Sequence, residues 1–157
     1  LLMGPVLEGT LRKIANELIQ DMVNEITTRD RVASGTVRDS FKAEPTKDGI
    51  GIKNEARSPE GYNYSSNVDL GRSPGKYVPI QPLVRWATLR GIVPKNNKSL
   101  KQFAFAVSKT LMKRGYPGIS YVAKSFIKSQ DMITKRIGEA YLKDLEEQLE
   151  KEIPNLK

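Results

Sequence analysis

Leu7, Leu11, Ile14, Leu18, Met22 and Ile26 recur at steps of three or four along the N-terminal part of the chain. Apolar side chains at this spacing form one stripe on an α-helix, and a stripe that long persists in water only when other elements cover it. The fold must therefore be built against a long N-terminal helix. Pro5 suits its first turn, where a missing N–H costs nothing. Thr27 and Thr28 are β-branched and meet the polar pair Arg29-Asp30, so the helix should end there.

The next elements are short. Gly35 marks a break, and residues 36–44 mix apolar and polar positions in the manner of a strand. "PTKDG" (residues 45–49) reads as a turn in which Asp48-Gly49 is the hairpin signal. Ile50 and Ile52 alternate with Gly51 and Lys53, which completes a β-hairpin. Residues 54–67 are polar and hold Pro59, Gly61, Tyr62 and Tyr64, a long loop leading to a third strand over 64–70. A short helix is expected over 81–90, with Pro82 in its first turn, Leu83, Trp86 and Leu89 on one face, and Gly91 after its end.

Ser99 and Gln102 form a capping box opening a helix through Phe103, Val107, Leu111 and Met112, which Gly115 ends. "GYPGISY" (residues 115–121) reads as a turn. Ile133, Ile137, Tyr141, Leu145 and Leu149 step by four along a last helix over about 129–153, closed by Pro154. Its acidic end, residues 144–152, reads as a solvated helix face. The expected class is α+β: a long N-terminal helix, a small antiparallel sheet with a β-hairpin, then helices including a long C-terminal one. A length of 157 residues suits a single domain over 1–157, with its core over about 7–128 and the C-terminal helix over about 129–153. At this size about two thirds of the unfolded surface can be buried.

The chain has no Cys and no His, which removes disulfides, zinc fingers, thiol nucleophiles and imidazole bases. No apolar run reaches the roughly 18 residues that span a bilayer. Leu1-Leu2-Met3 lacks a basic flank and its apolar stretch breaks at Gly4-Pro5, so a soluble chain without a signal peptide is expected.

The formal charge is +8, and its distribution is uneven. Residues 71–130 contain no Asp or Glu but hold Arg72, Lys76, Arg85, Arg90, Lys95, Lys98, Lys101, Lys109, Lys113, Arg114, Lys124 and Lys128. These twelve leave fourteen basic against eighteen acidic residues elsewhere. Such a segment seeks a polyanion or an acidic protein surface, since a merely solvated face mixes both signs.

"GRSPGKY" (residues 71–77) superficially resembles a phosphate loop. A Walker A loop needs four residues between its first Gly and the Gly-Lys pair, then Ser or Thr. Here three residues separate Gly71 from Gly75, Tyr77 follows Lys76, and Pro79 and Pro82 keep a helix from opening at that point. An NTPase is excluded on these grounds. Asp39, Glu44, Asp48, Glu55, Glu60 and Asp69 are scattered and read as surface charges rather than an acid–base pair. Tyr77, Trp86, Phe103, Phe105, Tyr116 and Tyr121 accompany the basic segment and would allow base stacking. The helical spacing of Phe103, Val107 and Leu111, and of Trp86 with Leu83 and Leu89, assigns those aromatics to the core instead. No catalytic residue, metal or cofactor site is expected, and the chain reads as a non-enzyme.

Two stretches carry a resemblance. "ASGTVRDSF" (residues 33–41) lies between a long N-terminal helix and a strand, and resembles the sG-x-Lr-x-S signature of tailed-bacteriophage neck proteins, the head–tail connector or tail-completion family. "VDLGRSPGKYVPIQPLVRWATLRGI" (residues 68–92) and "LKQFAFAVSKTLMKRGYPGISYVAKSF" (residues 100–126) are similar to the strand, loop, Trp-bearing helix, further helix and Gly-Pro turn that follow in that family. The resemblance covers about residues 7–126, and it departs from the family pattern at Val37, where Leu is usual, and at "SYVAKSF".

The resemblance implies a structural virion protein, made in the bacterial cytoplasm and assembled as a ring of six or twelve copies in the neck. Its implied partners are copies of itself, the portal or an adjacent connector ring, and tail proteins. Non-specific contact with genomic DNA is a further implication, and no membrane is involved. Gly35, Gly71, Pro74, Gly75, Pro79 and Pro82 would then shape structural turns, with residues 71–82 leading into the helix that bears Trp86. Arg72, Lys76, Arg85, Arg90, Lys95, Lys98, Lys101, Lys109, Lys113 and Arg114 become candidates for an interface or a DNA-channel lining. The alternative from another class is a monomeric basic nucleic-acid-binding protein. A phage-encoded enzyme would need a carboxylate cluster that the sequence does not display.

Overall fold

The computed structural model describes residues 3–29, 34–59 and 61–153. In chain order the elements are α1 (Pro5–Thr28), α2 (Thr36–Asp39), β1 (Phe41–Thr46), β2 (Gly49–Asn54), α3 (Ser65–Leu70), β3 (Gly71–Arg72), α4 (Ile80–Leu89), α5 (Leu100–Arg114), β4 (Tyr116–Pro117) and α6 (Tyr121–Glu152). The class is α+β, as expected. The chain divides into two compact units. The first takes the residues up to Asn24, Phe41–Lys53 and those from Val122 onward; the second takes Glu25–Ser40 and Asn54–Tyr121.

In the first unit α1 and α6 run antiparallel. Asp144 meets the backbone of Val6 and Leu7, the Arg136 guanidinium pairs with Glu17, and Lys128 reaches Asp21 at 3.0 Å. Ile14, Ala15, Leu18 and Met22 of α1 are buried, which is the central part of the stripe. On the part of α6 that belongs to this unit the buried residues are Ser125, Ser129, Ala140 and Asp144. The face expected from the step-of-four pattern is thus displaced: Tyr141 and Leu149 are exposed, Ile133, Ile137 and Leu145 are half-buried, and the fully covered positions belong to small or polar residues. β1 and β2 pair as a two-stranded sheet, with Lys53 Nζ bonded across it to Glu44 at 2.8 Å.

The second unit holds α4 and α5, packed along each other. Their fully buried residues are Ala87, Ala104 and Ser108, again small ones. Phe103, Val107 and Leu111 are only half-buried, so the α5 core line runs beside the one expected. The capping box at Ser99 and Gln102 is complete in both directions, and Gly91 follows α4 at φ 62° with its N–H on Thr88 O. β3 pairs antiparallel with β4, Gly71 opposite Pro117 and Arg72 opposite Tyr116.

Several sequence expectations are corrected. Residues 36–44 do not form a single strand. Gly35 turns the chain at φ 82°, Asp39 N–H bonds to its carbonyl, and a one-turn helix precedes β1. The hairpin turn is only Lys47-Asp48, because Pro45 and Thr46 continue β1; a two-stranded sheet is all edge, where a proline needs no ladder donor. Residues 64–70 are not a third strand: 65–70 are helical and Tyr64 is the N-cap. Asn63 Oδ1 accepts from Ser65 N–H and Ser65 Oγ at 3.1 and 2.8 Å and so starts α3. Residues 115–121 contain β4 as well as a turn. The last helix begins at Tyr121, eight residues earlier than expected, after Ser120 turns the chain at φ 53°. Pro154, expected to close it, lies outside the described residues.

Candidate interaction surface

The loop from Ser73 to Pro79 decides how Tyr77 is presented. Its two ends are set by β3 and by α4, whose N-cap is Pro79. Between them it is tied down at successive points. Arg72 Nη2 donates to Lys76 O at 2.8 Å, Gly75 N–H to Met112 O at 2.8 Å, and Ser108 Oγ to Val78 O at 2.7 Å. Ser108 is wholly buried, and Met112 O is among the carbonyls that the end of α5 leaves without a helical partner. The Gly75 amide is therefore spent on structure and forms no part of a phosphate cradle.

Gly71, Gly115 and Gly118 make the approach of this loop to β4 possible. A β-carbon on Gly71 would lie 2.3 Å from Gly118 N, one on Gly118 2.0 Å from Asp69 O, and one on Gly115 2.1 Å from Arg72 O. Gly71 and Gly115 also hold φ of +81° and +63°, which only glycine adopts without cost.

Tyr77 leaves this anchored loop and lies on Phe105 of α5. The ring centroids are 6.4 Å apart and the planes 17° from parallel. Both rings face solvent, at 52% and 55% exposure, and Trp86 on α4 is 37% exposed. Phe105 and Trp86 thus lie outside the core to which the sequence assigns the aromatics. Ala104 and Ala87, their neighbours in sequence, take the buried positions, because two helices in close approach admit a methyl group and not a large ring. Tyr121, by contrast, is buried. Its phenol is pushed up to about 12 by that burial and by the Asp69 carboxylate, and its hydroxyl donates to Ser65 O at 3.4 Å.

Lys101, Phe105, Lys109 and Lys113 step by four along α5 and are all exposed, so they share one stripe. Lys76 adjoins Tyr77. Among the described residues Lys76, Lys95, Lys98, Lys101, Lys109, Lys113 and Arg114 form no ion pair. The second unit carries fourteen basic against six acidic residues along its sequence, and the first unit twelve against twelve. The entire +8 thus belongs to the second unit. The acid-free stretch itself is split: Lys124 and Lys128 fall in the first unit, where Lys128 pairs with Asp21.

Some charged groups elsewhere are engaged in pairs. Arg38 hydrogen-bonds Asp39, holding that carboxyl below its ordinary range and raising its own guanidinium. The hydrogen bond and charge of Lys53 likewise hold the Glu44 carboxyl below its ordinary range. In the first unit a cleft of about 250 Å³ lies between α1 and α6, lined by Ile14, Leu18, Met132 and Ile133 with Glu17 and Asp21 at its polar side. Among the described residues no group of three carboxylates is placed to hold a metal ion, and no helix is long and apolar enough to cross a membrane.

Asp144 does not belong to the solvated acidic face that the sequence suggests for residues 144–152: it is buried, and its carboxylate accepts from Val6 N at 3.0 Å and Leu7 N at 2.8 Å. It caps α1 from the other end of the chain. The remaining acidic residues there, Glu146, Glu147, Glu150 and Glu152, are exposed, as are Leu142, Leu149 and Ile153. Comparison with protein-family models, curated proteins and solved structures finds no match for this chain.

Proposed function

We propose that this protein is a structural component of a tailed-phage virion, one copy in a ring of six or twelve that joins head to tail in the neck around the DNA channel. The sequence resemblance over about residues 7–126 suggests the family. The observation that carries the reading is the separation of charge. A unit of net +8 with seven unpaired cations is joined by one chain to a helix end bearing four exposed glutamates and three exposed aliphatic side chains. Rings close through heterologous contacts, which need two unlike, complementary surfaces on each copy. The glutamate-bearing end of α6 and the lysines of the second unit are such a pair, and charge attraction would bring them together across neighbouring copies. The portal or an adjacent ring, and tail proteins, are the proposed neighbours.

Quantitative mass spectrometry of purified virions tests this reading, with copies counted against the portal and lysines cross-linked. Six or twelve copies, with residues 76–128 linked to portal or tail neighbours, support it. Absence from the particle sinks it. On the purified protein, reversal of Lys95, Lys98 and Lys101 to Glu should abolish ring assembly at low salt; unchanged assembly refutes the proposed charge pairing.

One observation favours a second reading, in which a single copy binds nucleic acid without forming a ring. The Tyr77–Phe105 pair is exposed among unpaired lysines, where assembly through charge alone has no need of aromatic rings.

A further inference from the structure

Phenylalanine is usually buried, and a fold that leaves one more than half exposed has left apolar area in water. Here two rings are left so, stacked on one another, and both are held. Phe105 sits in the middle of α5. Tyr77 lies between two residues whose carbonyls are fixed, Lys76 O by Arg72 and Val78 O by the buried Ser108 hydroxyl. The pair is thus a rigid aromatic surface and no mobile loop tip. Lys101 and Lys109 stand one turn to either side of Phe105 on the same stripe, and Lys113 extends it. From 101 to 113 the stripe is about 18 Å long.

We propose that Tyr77 and Phe105, with Lys76, Lys101 and Lys109, form a binding site for single-stranded nucleic acid. The rings take unpaired bases by stacking, and the lysines neutralise the phosphates on either side. This rests on the second reading above and makes it specific. A duplex does not fit the chemistry as well, since its bases stack on each other and offer only edges to a protein. An acidic peptide would use the lysines and leave the rings without a role. An open stripe suits a polymer better than a lone nucleotide, which takes a concave pocket.

Binding should be nearly indifferent to base sequence. The site consists of ring faces and ammonium groups, which take any base and any phosphate, while Gln102 Oε1 accepts from the Ser99 N–H and Thr110 Oγ1 donates to Ala106 O.

The test uses the full chain and fluorescence anisotropy with a labelled single strand of about twelve nucleotides. A duplex of the same length and polyglutamate serve as the other probes. The expected result is tighter binding to the single strand than to either. Phe105→Ala and Tyr77→Ala should each weaken it roughly tenfold with an unchanged salt slope. Phe105→Tyr should keep the affinity, and Phe105 is exposed enough that the fold tolerates each change. Lys101→Ala and Lys109→Ala should each reduce the slope of log affinity against log salt by about 0.7. If the lysine variants lose binding while Phe105→Ala and Tyr77→Ala bind as the parent does, the stacking site is overturned, although nucleic-acid binding by charge stands. Binding to polyglutamate but not to the oligonucleotide overturns both.

Discussion

The carboxylate of Asp144 stands where a side chain on Gly4 would have to go: a β-carbon there would lie 2.2 Å from Asp144 Cγ and 2.4 Å from each carboxylate oxygen. The same carboxylate takes the N–H groups of Val6 and Leu7, two of the four that open a helix without partners. A negative charge at that end also meets the positive end of the helix dipole. Asp144→Ala should therefore cost about 2–3 kcal/mol, since it leaves two part-buried donors unpaired. Gly4→Ala should cost a similar amount by pushing the cap away. Urea unfolding midpoints of the two single variants and the double variant check this, and the double variant should cost clearly less than the sum. Additive losses would mean that Gly4 and Asp144 act separately.

Gly71, Gly115 and Gly118 should tolerate no side chain. Alanine at any of them meets backbone atoms closer than 2.5 Å, and at Gly71 and Gly115 it also meets a left-handed φ. A loss of roughly 3 kcal/mol or more is expected at each. Gly91 provides the comparison: it has the same left-handed φ but open space around its β-carbon position, so alanine there should cost only about 1 kcal/mol. Equal losses at Gly91 and Gly115 would show that backbone angle, and not close approach, governs the loop.

Ser108 links the buried face of α5 to the loop that presents Tyr77. Ser108→Ala should destabilise by about 1–2 kcal/mol, because Val78 O loses its donor in a part-buried position. Its more specific effect should be on the loop. Amide hydrogen exchange over residues 75–78 should speed up while that of the N-terminal part of α1 is unchanged. Exchange that rises evenly across the protein would indicate global loss of stability alone.

Tyr121 should make the fold alkali-sensitive. Its phenol titrates at about 12 in the folded protein and near 10 in an unfolded chain. The folded state holds the proton more tightly, so the stabilisation is complete below about pH 10 and is lost as pH rises from about 10 to 12. Across that interval the parent protein should lose stability relative to Tyr121→Phe, which has no proton to release. Parallel stability curves for the two proteins would refute the assignment.

The elements legible in the sequence are those whose causes lie within a few residues. The α1 stripe, the Ser99–Gln102 capping box and Gly91 after α4 all act over one or two turns of chain, and each is where the residues place it; the hairpin at residues 41–54 is legible too, with its turn one residue earlier than Asp48-Gly49. Tertiary structure decided the rest, because the partner is remote. Strands of two residues, such as β3 and β4, carry no period to read, and they exist only because three glycines let residues 71–72 and 115–118 touch. Asp144 has the look of one more surface carboxylate until the N-terminus of α1, 137 and 138 positions away, is set against it. Phe105 and Trp86 have the look of core until packing of α4 on α5 selects Ala87, Ala104 and Ser108 instead. Periodicity states that a helix has an apolar face; which line of that face is buried depends on how closely its neighbour approaches, and that distance is a property of the assembled fold.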